Sequence, residues 1–436
     1  MTAGQRAGAE QGAPTPLSIL ILNQAFYPDV VSTAQHASEL ATALSERGHK
    51  VTAVCSARRY DDPAVNYISR ETWEGVMIRR IWSSGFGKKA RWRRAADFGT
   101  YLLNCVWQVL LIPRHDVVIA LTSPPMISFV AALLVRLKGG KLIFWAMDLN
   151  PDEAIAAGWL SPDSLSWRIL NGMLVYSIHA SIKIIALDRF MAARLRDKGA
   201  HWDKVEILPP WSHSREVFND AEGRRKFRAT HGLDDKFVVM YSGNHSPCHP
   251  LTTLLNAALE LREETGIVFT FVGGGSEFQG VRDFAARHTL SNIRTVPYQP
   301  LEELSASLSA ADLHTVVMGD PFVGMVHPCK IYNILTLGTP VLYIGPGESH
   351  IADMGESAPS SNWFYEARHD DLRGVVESIR EARASHSLEI SDEKLLAERF
   401  SRDALVDPHV KIIESAGQLS PALAPAEGGR RMNAAV

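Results

Sequence analysis

Cysteine is scarce in this chain of 436 residues: Cys55, Cys105, Cys248 and Cys329 are the only four, each far from the others. Isolated thiols of this kind exclude a disulfide framework and the paired spacing of a zinc site, and they suit a reducing cytoplasm. A surplus of one charge sign is also missing, since 45 Lys and Arg face 48 Asp and Glu for a net charge of −3. Nucleic acid is therefore not an expected partner, and any basic surface must be local. Apolar runs are short. Residues 101–112 and 126–137 fall below the roughly 20 residues a bilayer requires, and are predicted to be helices resting on a sheet. Residues 1–16 lack the apolar core of a signal peptide and are expected to be a disordered leader, as is an Ala/Pro/Gly-rich tail over 416–436. No Asp-x-Asp motif beside a strand end offers a seat for Mg²⁺, and the pair Asp61-Asp62 lies in a loop without a partner.

What is present is the composition of a globular protein, 46% hydrophobic and 21% charged, in a chain long enough for two α/β domains. Strands are predicted at 17–22, 51–55, 76–81, 117–121, 142–146, 182–186 and 205–208. Pro209-Pro210-Trp211 interrupts the series, which resumes at 237–241, 268–272, 293–296, 313–317 and 341–344. Helical stretches separate most of these runs, among them 251–262, 277–287, 301–308 and 328–337. Strand–helix–strand alternation implies parallel sheets with ligand loops at their carboxyl edges. In the first unit Ser32 or Thr33 would cap a helix whose inward face carries Ala37, Leu40 and Leu44. The expected architecture is two facing doubly wound Rossmann-like domains, 17–209 and 210–390, with a cleft between them. Helices over 391–415 would cross both.

One stretch carries chemistry. Gly324-Met325-Val326-His327-Pro328-Cys329-Lys330-Ile331-Tyr332-Asn333 reads as a glycine-bearing loop and a helix with proline at its first position, stopped by Gly338 before a buried strand. Lys330 conflicts with the positive end of that helix by about 0.3–1 kcal/mol unless an anion is present. A phosphate held by the free N–H groups and the lysine removes the conflict; a lysine that swings into solvent is the plain alternative.

Further markers follow in order along the chain: Phe26-Tyr27-Pro28-Asp29, Glu46-Arg47-Gly48-His49-Lys50-Val51, Thr122-Ser123-Pro124-Pro125, Asp148-Leu149-Asn150-Pro151-Asp152, Tyr241-Ser242-Gly243-Asn244, Phe271-Val272-Gly273-Gly274-Gly275-Ser276-Glu277 and Ala310-Ala311-Asp312. Together they resemble the family-4 glycosyltransferases of the GT-B fold, in the branch that builds bacterial polysaccharides. The resemblance implies a retaining, metal-independent transferase without a cofactor, of hexosyl or N-acetylhexosaminyl type. Its C-terminal domain would bind a nucleotide-sugar, a UDP-sugar by family habit, and its N-terminal domain a saccharide or lipid-linked acceptor. Gly243, Asn244, His249, Gly273, Gly274, Gly275 and Tyr298 would then surround the nucleotide, with Gly324, Met325, Val326, Lys330 and Asn333. Asp29, Ser32 and Thr33 would meet the acceptor. Asp148, His327 and Asn333 are the catalytic candidates, while Asp148 and His327 also read as turn or cap residues. Leaving-group stabilisation by helix N-termini and basic side chains suffices for such chemistry without a cation.

The family's pair of glutamates seven residues apart is Met325 and Asn333 here. Asn333 can still bond a ribose hydroxyl, worth about 0.5–1.5 kcal/mol against about 1.5–3 for a charged acceptor. Met325 offers only its backbone N–H. The family's pyrophosphate-clamping Arg and Lys fall at Asn244 and His249, so His249 would act only when protonated. A GT-B sugar-nucleotide epimerase and a degenerate nucleotide-sugar-binding partner protein are the rival readings. Finally, Lys88, Lys89, Arg91, Trp92, Arg93 and Arg94 form a basic, tryptophan-bearing cluster ahead of an apolar segment. It reads as a solvated face or as a contact with an anionic membrane at the inner face of the plasma membrane, where each cation contributes about 1 kcal/mol.

Overall fold

The computed structural model describes residues 15–60, 62–87, 91–213, 217–357, 363–385 and 393–419. The predicted 1–16 leader falls almost wholly outside these residues.

Among the described residues, fourteen strands form two sheets. In the first half these are β1 (Ser18–Leu22), β2 (Lys50–Ser56), β3 (Arg70–Trp73), β4 (Val76–Ile81), β5 (Val117–Ala120), β6 (Lys141–Ala146), β7 (Ser181–Ala186) and β8 (Val205–Ile207), in the order β3-β4-β2-β1-β5-β6-β7-β8. The second half contains β9 (Phe237–Asn244), β10 (Ile267–Gly274), β11 (Ile293–Val296), β12 (Leu313–Val317), β13 (Val341–Ile344) and β14 (Phe364–Ala367), in the order β11-β10-β9-β12-β13-β14. All pairings are parallel except β3–β4. That hairpin turns through Glu74 and Gly75, both at positive φ (48° and 77°), which suits the right-handed twist of its strands. The central strands are apolar on both faces because helices cover both, as the fully buried β5 and β13 show. These are two Rossmann-like α/β halves.

Two segments join them. Trp211, in the first crossing, lies in the N-terminal core beside Trp145, with ring centroids 5.9 Å apart. Truncating a core tryptophan costs about 3–5 kcal/mol. Helix Glu393–Arg399 places Leu396 in the C-terminal half, and helix Arg402–Gln418 returns with Val406, Val410 and Ile413 to the N-terminal core. The second helix reaches Gln418, so the expected tail from 416 starts inside a helix; residues 420–436 lie outside the described set. Its Leu405, Val410, Ile413 and Ala416 carry an apolar face up to that point.

Candidate functional site

On the C-terminal side, β9 and β10 run in register to their last residues, where Gly243 faces Gly273. Both have left-handed φ values, 134° and 130°, and a Cβ at Gly273 would collide with the Gly243 carbonyl. Glycine is therefore required for this close approach of two backbones. Gly275 (φ 131°) comes just as close to the His245 carbonyl. The Tyr298 ring lies over Gly274, with its hydroxyl 3.4 Å from the Gly274 carbonyl. Asn244 is exposed at the same edge, with its Oδ1 lying over Gly275.

Lys330 opens helix Lys330–Leu337, two residues later than Pro328, so the proline precedes the helix instead of occupying its first position. Its Nζ is buried beside Gly243, 3.6 Å from the centre of the Tyr241 ring, and has no hydrogen-bond partner. Burial pushes its pKa down to about 7. The aromatic face offsets part of that cost. Around it His245 and His314 are pushed down to about 4 and His249 to about 3, by burial first; the lysine's charge adds to the effect. His249 Nδ1 donates to the Val317 carbonyl at 2.7 Å. The protonation that His249 would need in order to act is thus opposed in the unliganded protein, which leaves Lys330 as the expected cation of this corner.

The loop that precedes Lys330 is consumed by contacts between the halves. Gly324 (φ 70°) touches the other domain, and a Cβ there would sit 2.7 Å from the Phe190 backbone. Met325 N–H and Val326 N–H both donate to the Phe322 carbonyl, at 2.9 and 3.2 Å, so neither is free for a sugar as expected for Met325. The Met325 carbonyl accepts from Leu149 N–H at 2.8 Å. His327 neither caps the helix nor keeps a free nitrogen, since Nδ1 meets Asp188 at 2.8 Å and Nε2 meets the Tyr332 hydroxyl at 2.6 Å. Asn333 Oδ1 accepts from the His213 N–H, bracing the first crossing.

Asp188, His327 and His350 form the one cluster of three metal-type donors among the described residues. Burial raises the Asp188 carboxyl, but its bond to His327 and the two imidazoles outweigh this and hold it well below the usual range. The two rings stack at 3.7 Å and 16°. Parallel stacked imidazoles cannot both aim in-plane lone pairs at one ion, and Asp188 already accepts from Met191 N–H as a helix cap. The cluster is a clamp between the halves.

On the N-terminal side, Asp148 follows β6 and lies in a small cavity with Thr122, Pro125 and Asn150. Burial, and then the Glu153 carboxylate, push its pKa up to about 8. Glu153 is itself raised by burial; it accepts from Asn150 Nδ2 at 3.0 Å and from Cys248 of the other half at 3.7 Å. Sequence reasoning passed over Glu153. Its signal was a second acid five residues after Asp148, in the first turn of a helix. Arg94 acts electrostatically on both carboxyls. The candidate membrane arginine therefore faces the cleft.

Other placements differ from expectation. Asp29 is buried and accepts from Tyr60 N–H at 3.1 Å and the Tyr67 hydroxyl at 3.0 Å, so it braces its own loop. Helix Ser32–Glu46 is capped by Val31 with no side-chain bond, because Ser32 Oγ turns to His36 Nδ1 at 3.2 Å; Thr33 sits half-buried in the first turn. Lys88, Lys89 and the Arg91 side chain lie outside the described residues. Trp92 is 63% exposed, with the Arg93 guanidinium 5.4 Å from its ring centre.

Two parallel-sheet halves whose carboxyl edges face each other are the architecture of the GT-B fold. Residues 33–211 match the family described as glycosyl transferase 4-like domain. A Pseudomonas aeruginosa protein named as the glycosyltransferase WbjE is 25% identical over 65% of this chain and 74% of its own. An Escherichia coli K12 protein named as the colanic acid biosynthesis glycosyl transferase WcaI is 21% identical over 84% of this chain and 92% of its own. The Anabaena protein HepE, solved in complex with UDP and glucose, superimposes with a TM-score of 0.68 over 92% of this chain and 100% of its own, at 13% identity. Residues 33–211 therefore carry a glycosyl transferase 4-like domain, and the whole chain takes the GT-B fold of that solved structure.

Proposed function

We propose that this protein is a retaining, metal-independent glycosyltransferase that moves a hexose or N-acetylhexosamine from a UDP-sugar to a saccharide or lipid-linked acceptor during cell-surface polysaccharide biosynthesis. The carrying observation is the buried Lys330 amine, which has no partner and lies at the meeting point of Gly243 and the helix start. A cation desolvated without a counter-ion is costly, and a donor diphosphate is the group that would supply one. The nucleotide lies on Gly243, Gly273, Gly274 and Gly275 under Tyr298, with Asn244 and His249 beside it. The WcaI name and the HepE complex support the pathway and the donor. Asp148, with Glu153, faces the acceptor hydroxyl.

Contact with the inner face of the plasma membrane belongs to the outer ridge of helix Arg91–Leu111. There Trp92, Leu103 and Trp107 are 63%, 73% and 62% exposed, an amphipathic pattern suited to a lipid surface. The described residues contain no helix long and apolar enough to cross a membrane. Calorimetric titration of the full chain with UDP tests the donor reading: micromolar binding that weakens in Lys330→Ala is expected, and absent binding would reject it. One observation favours a second reading, a nucleotide-binding protein without turnover. Met325 is consumed by packing and Asn333 by the crossing segment, leaving no carboxylate at either family position. Hydrolysis of the donor in the absence of acceptor separates the two.

A further inference from the structure

A second cationic site lies on the opposite wall of the cleft. At the carboxyl ends of β1, β2 and β4, a pocket is lined by Gln24, Arg58, Arg59, Arg94, Asp97 and Phe98. Its one carboxylate is spent on structure: Asp97 accepts from the Ser84 hydroxyl at 2.7 Å and from the N–H groups of Phe86 and Gly87 at 3.0 Å each. Arg58 is held by the carbonyls of Ser83 (2.8 Å) and Pro63 (2.7 Å), neither of which cancels its charge. Arg59 and Arg94 are exposed and stand in none of the ion pairs among the described residues. Three guanidiniums therefore line the pocket against the single charge of Asp97, a net-positive setting that favours a multiply charged oxyanion.

Gln24 adds a different preference. It is 9% exposed, and its amide oxygen has no partner although its backbone is pinned by Ser123 and Ser56. An orphaned acceptor there calls for a hydroxyl donor. The pocket's Arg94 also acts on Asp148 and Glu153, so the site lies within electrostatic reach of the carboxyls assigned above to the acceptor. Along helix Arg91–Leu111, Arg94 and Phe98 share a face with the buried Tyr101 and Cys105, whereas Trp92, Leu103 and Trp107 lie on the other. The pocket and the apolar ridge are thus separated by one helix thickness, about 10 Å.

We propose that this pocket binds the phosphate or diphosphate of a glycosyl acceptor, with Gln24 receiving a hydroxyl of the attached sugar. The assignment rests on the transferase reading, because it places the acceptor's charged end away from the donor's diphosphate. Such a group has two sources, a free sugar phosphate and a lipid-linked glycosyl diphosphate.

Full-length protein saturated with UDP is titrated with farnesyl diphosphate, glucose 1-phosphate and farnesol. Wild type should bind farnesyl diphosphate more tightly than farnesol, and Arg59→Gln/Arg94→Gln should weaken that binding by about tenfold to a hundredfold. UDP affinity should not change, which also reports that the variant folds. Comparable affinity for glucose 1-phosphate, lost in the same variant, assigns the pocket to free sugar phosphates; binding of the farnesyl compound alone assigns it to the lipid-linked source. Equal farnesyl diphosphate affinity in variant and wild type would overturn the proposal. So would a variant that loses only its binding to phosphatidylglycerol vesicles. Repeating the series without UDP keeps the two readings apart, since a protein that ignores UDP but still loses farnesyl diphosphate with the arginines keeps its pocket and fails as a transferase.

Discussion

The two walls of the cleft treat charge in opposite ways. The C-terminal wall buries one amine against a tyrosine face and sets it among backbones that only glycine allows to meet. The N-terminal wall leaves Arg59 and Arg94 in solvent, on a loop and an early helix turn, and instead buries the carboxyls of Asp148 and Glu153. A preorganised cation loses little freedom when its ligand arrives, whereas solvated arginines adapt to different shapes and bind each less tightly. Under the proposed function, the C-terminal wall suits one invariant group. The N-terminal wall suits retuning.

Substitutions and pH series test this contrast, from the largest effect to the smallest. Asp148→Asn should slow transfer by roughly 10²–10⁴-fold while UDP affinity stays the same, as measured by product formation and calorimetry. In wild type, transfer at low substrate should rise as pH passes about 8, where this buried carboxyl loses its proton. A variant as active as wild type would remove the acceptor wall from the chemistry.

Lys330→Ala should weaken UDP binding by roughly tenfold to a hundredfold. The wild-type affinity should itself fall as pH rises above about 7, because the complex must then recruit the proton that the free amine has lost. Stability moves the other way. The unfolded lysine holds its proton to about 10.5 and the folded one to about 7, so between these values the unfolded chain binds more protons and stability increases with pH. Urea unfolding of Lys330→Met should lack this slope, and a slope that persists would assign it to another group.

A matched pair of glycines compares the rigidity of the walls. Gly273→Ala should destabilise the protein by more than about 1 kcal/mol, since its φ of 130° and the Gly243 carbonyl both resist a Cβ. Gly99→Ala, in a helix with nothing within 4 Å, should be neutral or stabilising by about 0.5–1 kcal/mol. Equal losses in thermal unfolding would mean that the donor wall is no stiffer than its neighbour. The smallest expected effect is Trp107→Ser, which should lower partitioning onto phosphatidylglycerol vesicles and leave turnover of a soluble acceptor intact. Unchanged partitioning would leave the exposed ridge without a membrane role.

Most of the sheet was legible, because central parallel strands are short unbroken apolar runs: β4, β11, β12 and β13 have the predicted ends. β3 escaped because its four residues alternate polar and exposed, and β14 because a half-polar edge strand resembles a loop. The glycine loops and Lys330 were readable as local conflicts. The role of Arg94 was readable only in part. Its spacing to Phe98, Tyr101 and Cys105 marks one helical face, yet the charges around it suggested the opposite face. The roles of Met325, His327 and Asp29 were not visible, since their partners are Leu149, Asp188 and Tyr67, brought near only by the fold.

The two covalent crossings between the halves lie side by side, with Ser212 N–H donating to the Phe400 carbonyl at 2.8 Å. A body joined to another at two adjacent points has one hinge line. The second half is thus an insertion between β8 and the Arg402–Gln418 helix, and rotation about that line changes the gap most at the lip far from it. The Asp188–His327 and Arg189–Asp353 contacts act as latches on the same joint. Ligands that enter and leave such a clamshell set its angle, so the two substrates can sense each other mechanically without sharing a residue.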